Sequence, residues 1–461
     1  MSAPLPVLTT RVRYHARWVV PVATPPLEDG TVITEHDRIV WVGPRAHAPA
    51  GGRDEALGEH SIITPGLVNA HTHLELTTMR GFLEDLPFFE WVRTLTRARA
   101  EVLEDADLRD AALLGVAEGM RAGITTFGDT GASAAPFDAL RALGVRGVAY
   151  REVFGPDPAQ AAAALAGLQS QVAAMRRHAT ALVRVGVSPH APYSVSNALF
   201  SAVAAWAAQE SLPMAVHVAE SEAEDALVQR GEGPFADFLR GRGIAVARRA
   251  PGSVPLLRAT GMARADTLLI HCVRVSAEDI RAIANAGCGV AHCPASNAKL
   301  GHGVAPLAEF VAAGARVGLG SDSMASNNEM DMLAEARTAL LQQRTRTTSP
   351  AAAGFSARSA FRLATLGGAE ALRLDEEVGS LEAGKQADLV VFAIEPTSAP
   401  APDPLAALVF APRGTRVARV IVAGEERVRD GRVAGFDPAI AGRVHAAAGR
   451  LHQWRRAELA R

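Results

Sequence analysis

Two histidines two residues apart, His71 and His73, close the run Pro65-Gly66-Leu67-Val68-Asn69-Ala70-His71-Thr72-His73. In extended backbone, residues i and i+2 point to the same side, so both imidazoles can converge on one ion. The chain has 14 histidines, so such a pair could arise on a surface strand by chance. The stretch before it argues otherwise: residues 62–70 are almost wholly apolar, which suits a strand buried on both faces, and a buried strand ending in histidines points to metal or catalysis.

Further candidates follow downstream. His190, His217 with Glu220, His271 and Asp322 each fall at or just after an apolar run. His71, His73 and His217 with Asp322 form a three-imidazole, one-carboxylate set suited to one divalent ion, Zn2+ or Fe2+, with a position left for water. Such an ion lowers the pKa of bound water from 15.7 to about 7, which makes hydroxide available at neutral pH. Glu220, three residues after His217, can stand beside the ion without binding it. A carboxyl group there can protonate a ring nitrogen while hydroxide adds to the adjacent carbon of an aromatic C=N. The plainer reading of Glu220 is a helix-start glutamate placed near the helix dipole. His271 and Asp322 would share the remaining proton transfers.

The elements that must carry these residues alternate in the middle of the chain. Apolar runs at 62–69, 125–129, 146–153, 183–188, 214–218, 267–272, 289–293 and 316–320 are each followed by helix-compatible sequence. This is the pattern of βα units on a parallel sheet. The candidate residues sit at the carboxyl ends of five of the eight strands, and that end of a closed (β/α)8 TIM barrel is where active sites are built. A doubly wound open sheet is the alternative, but no GxGxxG turn follows its first strand.

The chain ends differ from the middle. Residues 7–14, 17–20, 31–34 and 38–42, and again 387–392, 405–410, 417–422 and 425–428, are expected to be short strands separated by Pro, Gly and Asp turns. Neither end carries enough apolar sequence for its own core. The economical arrangement is one small β-sandwich domain built from both ends: residues 1–62 and 379–436, with the barrel at 63–378 and a C-terminal helix at 437–461. Val444, Leu451 and Trp454 share one face of that helix, which could pack on the barrel or on a second copy in a homodimer; packing on the barrel is the simpler expectation.

Composition sets limits on function. A net charge of -2 over 461 residues gives no electrostatic footprint for nucleic acid or an anionic membrane. Three cysteines, with no CxxC pair, fit a reducing compartment. Charged residues interrupt the apolar stretch near the N-terminus, and no window reaches 18 apolar residues, so a soluble, cytoplasmic protein is expected. Of 47 basic residues only Lys299 and Lys385 are lysine.

PGLVNAHTHLELTTMRG at 65–81, EDLPFFEWV at 84–92, HAPYSVS at 190–196, HVAES at 217–221, IHC at 270–272, AHCPASNAKLGHGVAP at 291–306 and GLGSDSMASNNEMDM at 318–332 together resemble the amidohydrolase superfamily over nearly the whole chain. Within it the sequence is similar to the branch of methylthioadenosine/S-adenosylhomocysteine deaminases, aminodeoxyfutalosine deaminases and chlorotriazine hydrolases. The resemblance implies metal ligation by His71, His73, His217 and Asp322, general acid/base work by Glu220, a proton relay at His271 and a substrate contact at His190. It further suggests Trp91, and Glu101 with a one-residue shift, as substrate-binding residues. Binuclear members use a carboxylated lysine on a mid-barrel strand, and neither lysine here lies on one, so a single metal is expected. Glu75 in HTHLEL resembles the aminodeoxyfutalosine type. Arg146 and Arg151 could hold a substrate carboxylate, with salt bridging the plainer role, and His302 could line the pocket. The expected activity is hydrolytic deamination of an aminated heterocycle, foremost a 6-aminopurine nucleoside derivative. Triazine dechlorination and guanine- or cytosine-type deamination are alternatives. A non-enzymatic scaffold would be expected to carry a broken ligand set, and this one is intact.

Overall fold

The computed structural model describes residues 11–347, 355–395, 402–411 and 414–460. Eight parallel strands, Leu67–Thr72, Ile124–Gly131, Arg146–Val153, Val183–Pro189, Met214–Val218, Thr267–His271, Gly289–His292 and Arg316–Leu319, pair in chain order. The last strand returns to the first through an isolated parallel bridge between Asp322 and Thr72. The (β/α)8 barrel expected from the alternation is therefore closed. Closure needs close approach at Gly320, where a Cβ would stand 2.8 Å from the Cβ of His71 and 3.0 Å from its backbone nitrogen and oxygen.

Alternation along the strands sorts side chains between interior and exterior. Val68, Ala70, Val148, Tyr150, Ala215, Leu268, Ile270 and Ala291 form one buried cluster inside the barrel. A larger apolar cluster, including Phe127, Leu140, Leu168, Phe200, Leu257 and Phe310, joins the outer faces of the strands to the surrounding helices. Local signals start those helices where the sequence provides them. Ser276 caps Ala277–Ala286 in a reciprocal box with Asp279, and Ser196 Oγ accepts from the backbone N–H of Leu199 at the start of Asn197–Gln209.

Both chain ends build a second, nine-stranded sheet in which strand Ser61–Pro65 pairs antiparallel with Leu389–Ile394. Tyr14, Val19, Val32, Ile39, Ile63, Leu389, Val391 and Ile421, drawn from strands across this sheet, close on one core. Arg146, at the start of the third barrel strand, joins the two units. It is buried and donates to both carboxylate oxygens of Asp388, at 2.9 and 3.2 Å. Its role is thus a buried ion pair beneath the barrel.

Several expected strands differ from those observed. The run 62–69 is two strands, because Pro65 and Gly66 divide a sheet strand from the first barrel strand and the Gly66 N–H donates to the Asp388 carbonyl. Residues 405–410 form the helix Pro404–Phe410 instead of a strand. Asp403 caps it through Leu405 and Ala406, a proline occupies its first turn, and Leu405, Leu408 and Val409 are buried at helical spacing. The runs 7–14 and 17–20 merge into Arg11–Val19, with residues 7–10 outside the described residues. The strands Arg53–Ala56 and Arg432–Val433 escaped the sequence reading, since they are short and polar.

The C-terminal helix Ala439–Leu459 lies against Asp105–Arg121 and Phe88–Val102 of the same chain. Val444 and Leu451 are buried, and Arg443 and Arg450 pair with Asp110 and Asp107. Among the described residues no helix is long and apolar enough to cross a membrane.

Candidate active site

At the carboxyl end of the barrel the structure brings His71, His73, His217 and Asp322 together, their ligating atoms all within 4.8 Å of one another. His71 Nε2 lies 3.1 Å and His73 Nε2 3.5 Å from Asp322 Oδ1, and His73 Nε2 lies 3.2 Å from His217 Nε2. Tetrahedral ligands about 2.0–2.2 Å from a common centre are separated by roughly 3.3–3.5 Å, so these spacings are near the edges of such a polyhedron. Hydrogen bonding turns the lone pairs inward. His217 Nδ1 is 3.0 Å from the His190 carbonyl and must carry the proton there, which leaves its Nε2 bare. Two imidazole Nε2 atoms facing each other beside a carboxylate suit a cation.

Electrostatics agree with that arrangement. Burial drives the His71 imidazole down to about 4, and those of His73 and His217 to about 3, so all three are neutral at pH 7. Burial would raise the Asp322 carboxyl, but its hydrogen bond with His71 holds it well below the ordinary range. Ser296 and Ser326 also donate to Asp322 Oδ2, at 2.5 and 2.9 Å. The residues present fit one divalent metal ion.

Glu220 stands next to this set. Its Oε1 lies 3.4 Å from His271 Nε2 and 3.3 Å from His302 Nε2. Burial would raise its carboxyl, but the His271 and His302 imidazoles outweigh that and hold it at about 2, as a carboxylate. His271 Nδ1 is 2.9 Å from Asn297 Oδ1. With that nitrogen donating to the amide oxygen, His271 Nε2 is left facing the Glu220 carboxylate.

Strand-to-loop turns set these side chains. Ala219, His271 and Asp322 have φ of 52°, 74° and 58°, left-handed backbone outside glycine. Such residues cost energy that surrounding contacts must offset, and they cluster at functional sites. Buried Glu224 supplies one such contact, its carboxylate accepting from the backbone N–H of Ala219 and Glu220 at 2.8 and 3.2 Å and from Ser253 Oγ at 2.5 Å. Asp129 anchors the turn after His73, accepting from Leu74 N and Thr72 Oγ1 at 2.7 and 2.9 Å. Burial pushes Asp129 up to about 8 and Glu224 up to about 7.

The remaining candidates divide. His190 lies with its ring centroid 4.7 Å from that of His217 and its Nδ1 2.7 Å from Ser194 Oγ. Trp91 is buried and stacks 6.3 Å from Phe88, and it is Phe88 that reaches the site, 4.6 Å from the His302 ring. Glu101 accepts from Trp454 Nε1 at 2.9 Å on the side facing the C-terminal helix and is not brought to the four donors. Glu75 is buried and satisfied by Arg99 at 2.8 Å, by the Ala132 N–H at 3.1 Å and by the Ser133 hydroxyl. Arg151 donates to the Gly131 carbonyl and to Gln171 on the following helix, both at 3.1 Å. Sequence reasoning passed over Ser296, Asn297 and Ser326, although all three lie in the quoted motifs. It also missed Glu224 and Glu152, which carry no motif signal.

The sequence pattern of the amidohydrolase family matches residues 62–427. A 5-methylthioadenosine/S-adenosylhomocysteine deaminase from Moorella thermoacetica is 34% identical over 425 residues, 91% of this chain and 94% of that protein. A zinc-bound adenosine deaminase from Xanthomonas campestris superposes with a TM-score of 0.82 at 27% identity, covering 96% of this chain and 98% of that one. A zinc complex of the atrazine chlorohydrolase from Arthrobacter aurescens gives 0.81 at 25% identity, covering 95% and 100%.

Proposed function

Because the chain belongs to the amidohydrolase family, we infer that it is a hydrolytic deaminase that releases the 6-amino group of an adenine nucleoside derivative as ammonia. The observation that carries this reading is Glu220 Oε1 standing 3.4 Å from His271 Nε2 beside four converged ligand atoms. A metal cluster alone would serve many hydrolyses. An additional carboxylate outside the four-residue set, facing an imidazole, suits addition of water to a ring C=N.

His71, His73, His217 and Asp322 would hold one divalent ion, assigned as Zn2+ with Fe2+ the alternative. When bound, the ion would supply acidity to water, about 7 in place of 15.7. Glu220 would take a proton from the attacking water and deliver it to ring N1 as the oxygen bonds to C6. Protonating N1 at this moment avoids a negative ring. Asp322 and His271 accept the second water proton and pass it to the amino nitrogen, the C6–N bond breaks, and ammonia leaves with the 6-oxopurine as product. Atoms balance as one water consumed and one ammonia formed. Glu224 and Asn297 keep Glu220 and His271 in register, and this positioning is the larger share of what the chain supplies.

The purine would lie against an aromatic wall of Phe88, Tyr193 and Phe235, in which Tyr193 and Phe235 stack 4.3 Å apart and Phe88 meets Tyr193 edge-on at 6.1 Å. His190 completes the wall, with Trp91 backing Phe88. Three buried thiols, Cys272, Cys288 and Cys293, suit the reducing cytoplasm. S-Adenosylhomocysteine, methylthioadenosine, adenosine, aminodeoxyfutalosine, guanine, cytosine and a chlorotriazine form the test panel, with ammonia and chloride measured. Ammonia from at least one 6-aminopurine nucleoside is expected. Chloride release without purine turnover would replace the deaminase reading with triazine dechlorination, the activity named for one structural neighbour.

A further inference from the structure

Inside the third barrel strand, Val148 and Tyr150 point into the barrel interior, and the next position with that parity is Glu152 at the carboxyl end. Its carboxylate shares a group with ring nitrogens of His190 and His217, all within 4.8 Å of one another. Glu152 is 8% exposed, and its Oε1 is buried without a hydrogen-bond partner among the described residues. A buried carboxylate oxygen left bare costs desolvation energy, so a native structure retains one where something binds it.

The nearby cations are engaged elsewhere. Arg151 has the opposite parity and donates to Gly131 and Gln171, while Arg99 pairs with Glu75. A second metal at Glu152, His190 and His217 is poorly served. His217 Nδ1 is bound to the His190 carbonyl, and its one free nitrogen, Nε2, belongs to the four-donor set. His190 Nδ1 faces Ser194. What remains is a hydrogen-bond acceptor beside His190 at the carboxyl end of the barrel.

We propose that Glu152 is a specificity-determining substrate-binding residue whose unpartnered carboxyl oxygen accepts a hydrogen bond from a sugar hydroxyl of the nucleoside. The proposal rests on the deaminase reading above. In an adenine nucleoside the only N–H donors of the base are on the reacting 6-amino group, so the donors available to a second acceptor in every such substrate are the 2′- and 3′-hydroxyls. Glu101, which the family resemblance suggested as a substrate-binding acid, is taken by Trp454. Glu152 fills that need from a rigid strand end.

The test is a cycle on the metal-loaded full chain: wild type, Glu152→Gln and Glu152→Ala, each with adenosine, 2′-deoxyadenosine and 3′-deoxyadenosine. Leaving a buried acceptor without its donor supports roughly 10- to 100-fold discrimination. The wild type should lose that much kcat/KM on one of the deoxy substrates, Glu152→Ala should handle ribo and deoxy substrates alike, and Glu152→Gln, whose amide oxygen still accepts, should retain part of the discrimination, with metal content unchanged. Wild-type discrimination in Glu152→Ala would overturn the proposal, as would loss of metal on replacing Glu152. Calorimetric Kd values over the same cycle separate the two readings. If the wild type binds all three nucleosides yet releases no ammonia, the deaminase reading fails while the Kd pattern still decides the role of Glu152.

Discussion

The backbone N–H of Asp322 donates to the carbonyl of His71 at 3.0 Å, while the Asp322 carboxylate stands 3.1 Å from His71 Nε2. The bond that closes the barrel thus joins the backbones of two of the four converged residues. Metal binding and closure of the fold act on the same pair of residues, and binding to the folded state alone stabilises it by mass action.

Purified protein is therefore expected to carry close to one Zn2+ or Fe2+ per chain by elemental analysis, and chelation should lower Tm by several degrees. His73→Ala should lose the metal. Two tightly held metals per chain would contradict a site built from these four groups.

Gly320→Ala tests the closure directly. Its Cβ would meet the His71 Cβ at 2.8 Å, where backbone on both sides leaves little room to yield. A cost of about 1–3 kcal/mol is expected for such overpacking, together with reduced metal content, because His71 is the residue displaced. Thermal unfolding and elemental analysis of one preparation would show both effects; wild-type values for both would mean that the strands can part without disturbing the ligand.

Glu220→Gln should keep the metal and lose roughly 10²-fold or more in kcat, the usual worth of general acid/base catalysis. The amide preserves shape and cannot take up the proton. Turnover equal to wild type would remove Glu220 from the reaction.

Glu335 gives a pH dependence with a definite sign. Burial pushes its carboxyl up to about 8, against hydrogen bonds from Asn327 and the Ala295 N–H. Between the unfolded value near 4.5 and about 8 the folded protein holds a proton that the unfolded chain lacks. Its contribution is complete at low pH and falls as pH rises through that window. Wild type relative to Glu335→Gln should lose Tm between pH 5 and about 8.5, and a flat difference across that range would mean the carboxylate is already ionised in the fold.

Much of this was legible in the sequence. Buried strands read as continuous apolar runs, so the barrel and the strand ends carrying His71, His217, His271 and Asp322 could be placed before any coordinates. Helix Pro404–Phe410 was misread because a seven-residue apolar run looks alike in either conformation, although the Asp403-Pro404 start was the available cue. Glu152 and Glu224 stayed hidden for a different reason. Their meaning comes from what they face across the barrel mouth, and one sequence does not display contacts between distant strands. Glu101 looked suitable from the family resemblance with a one-residue shift, but the partner that draws it away, Trp454, lies 353 residues on.

Ammonia release from a 6-aminopurine nucleoside, followed together with the 6-oxopurine product, tests the central claim most directly. The wild-type protein should form one ammonia per product molecule, lose the activity on chelation and regain it with one equivalent of Zn2+. No ammonia from any 6-aminopurine nucleoside, with the metal bound and chloride released from a chlorotriazine, would contradict it.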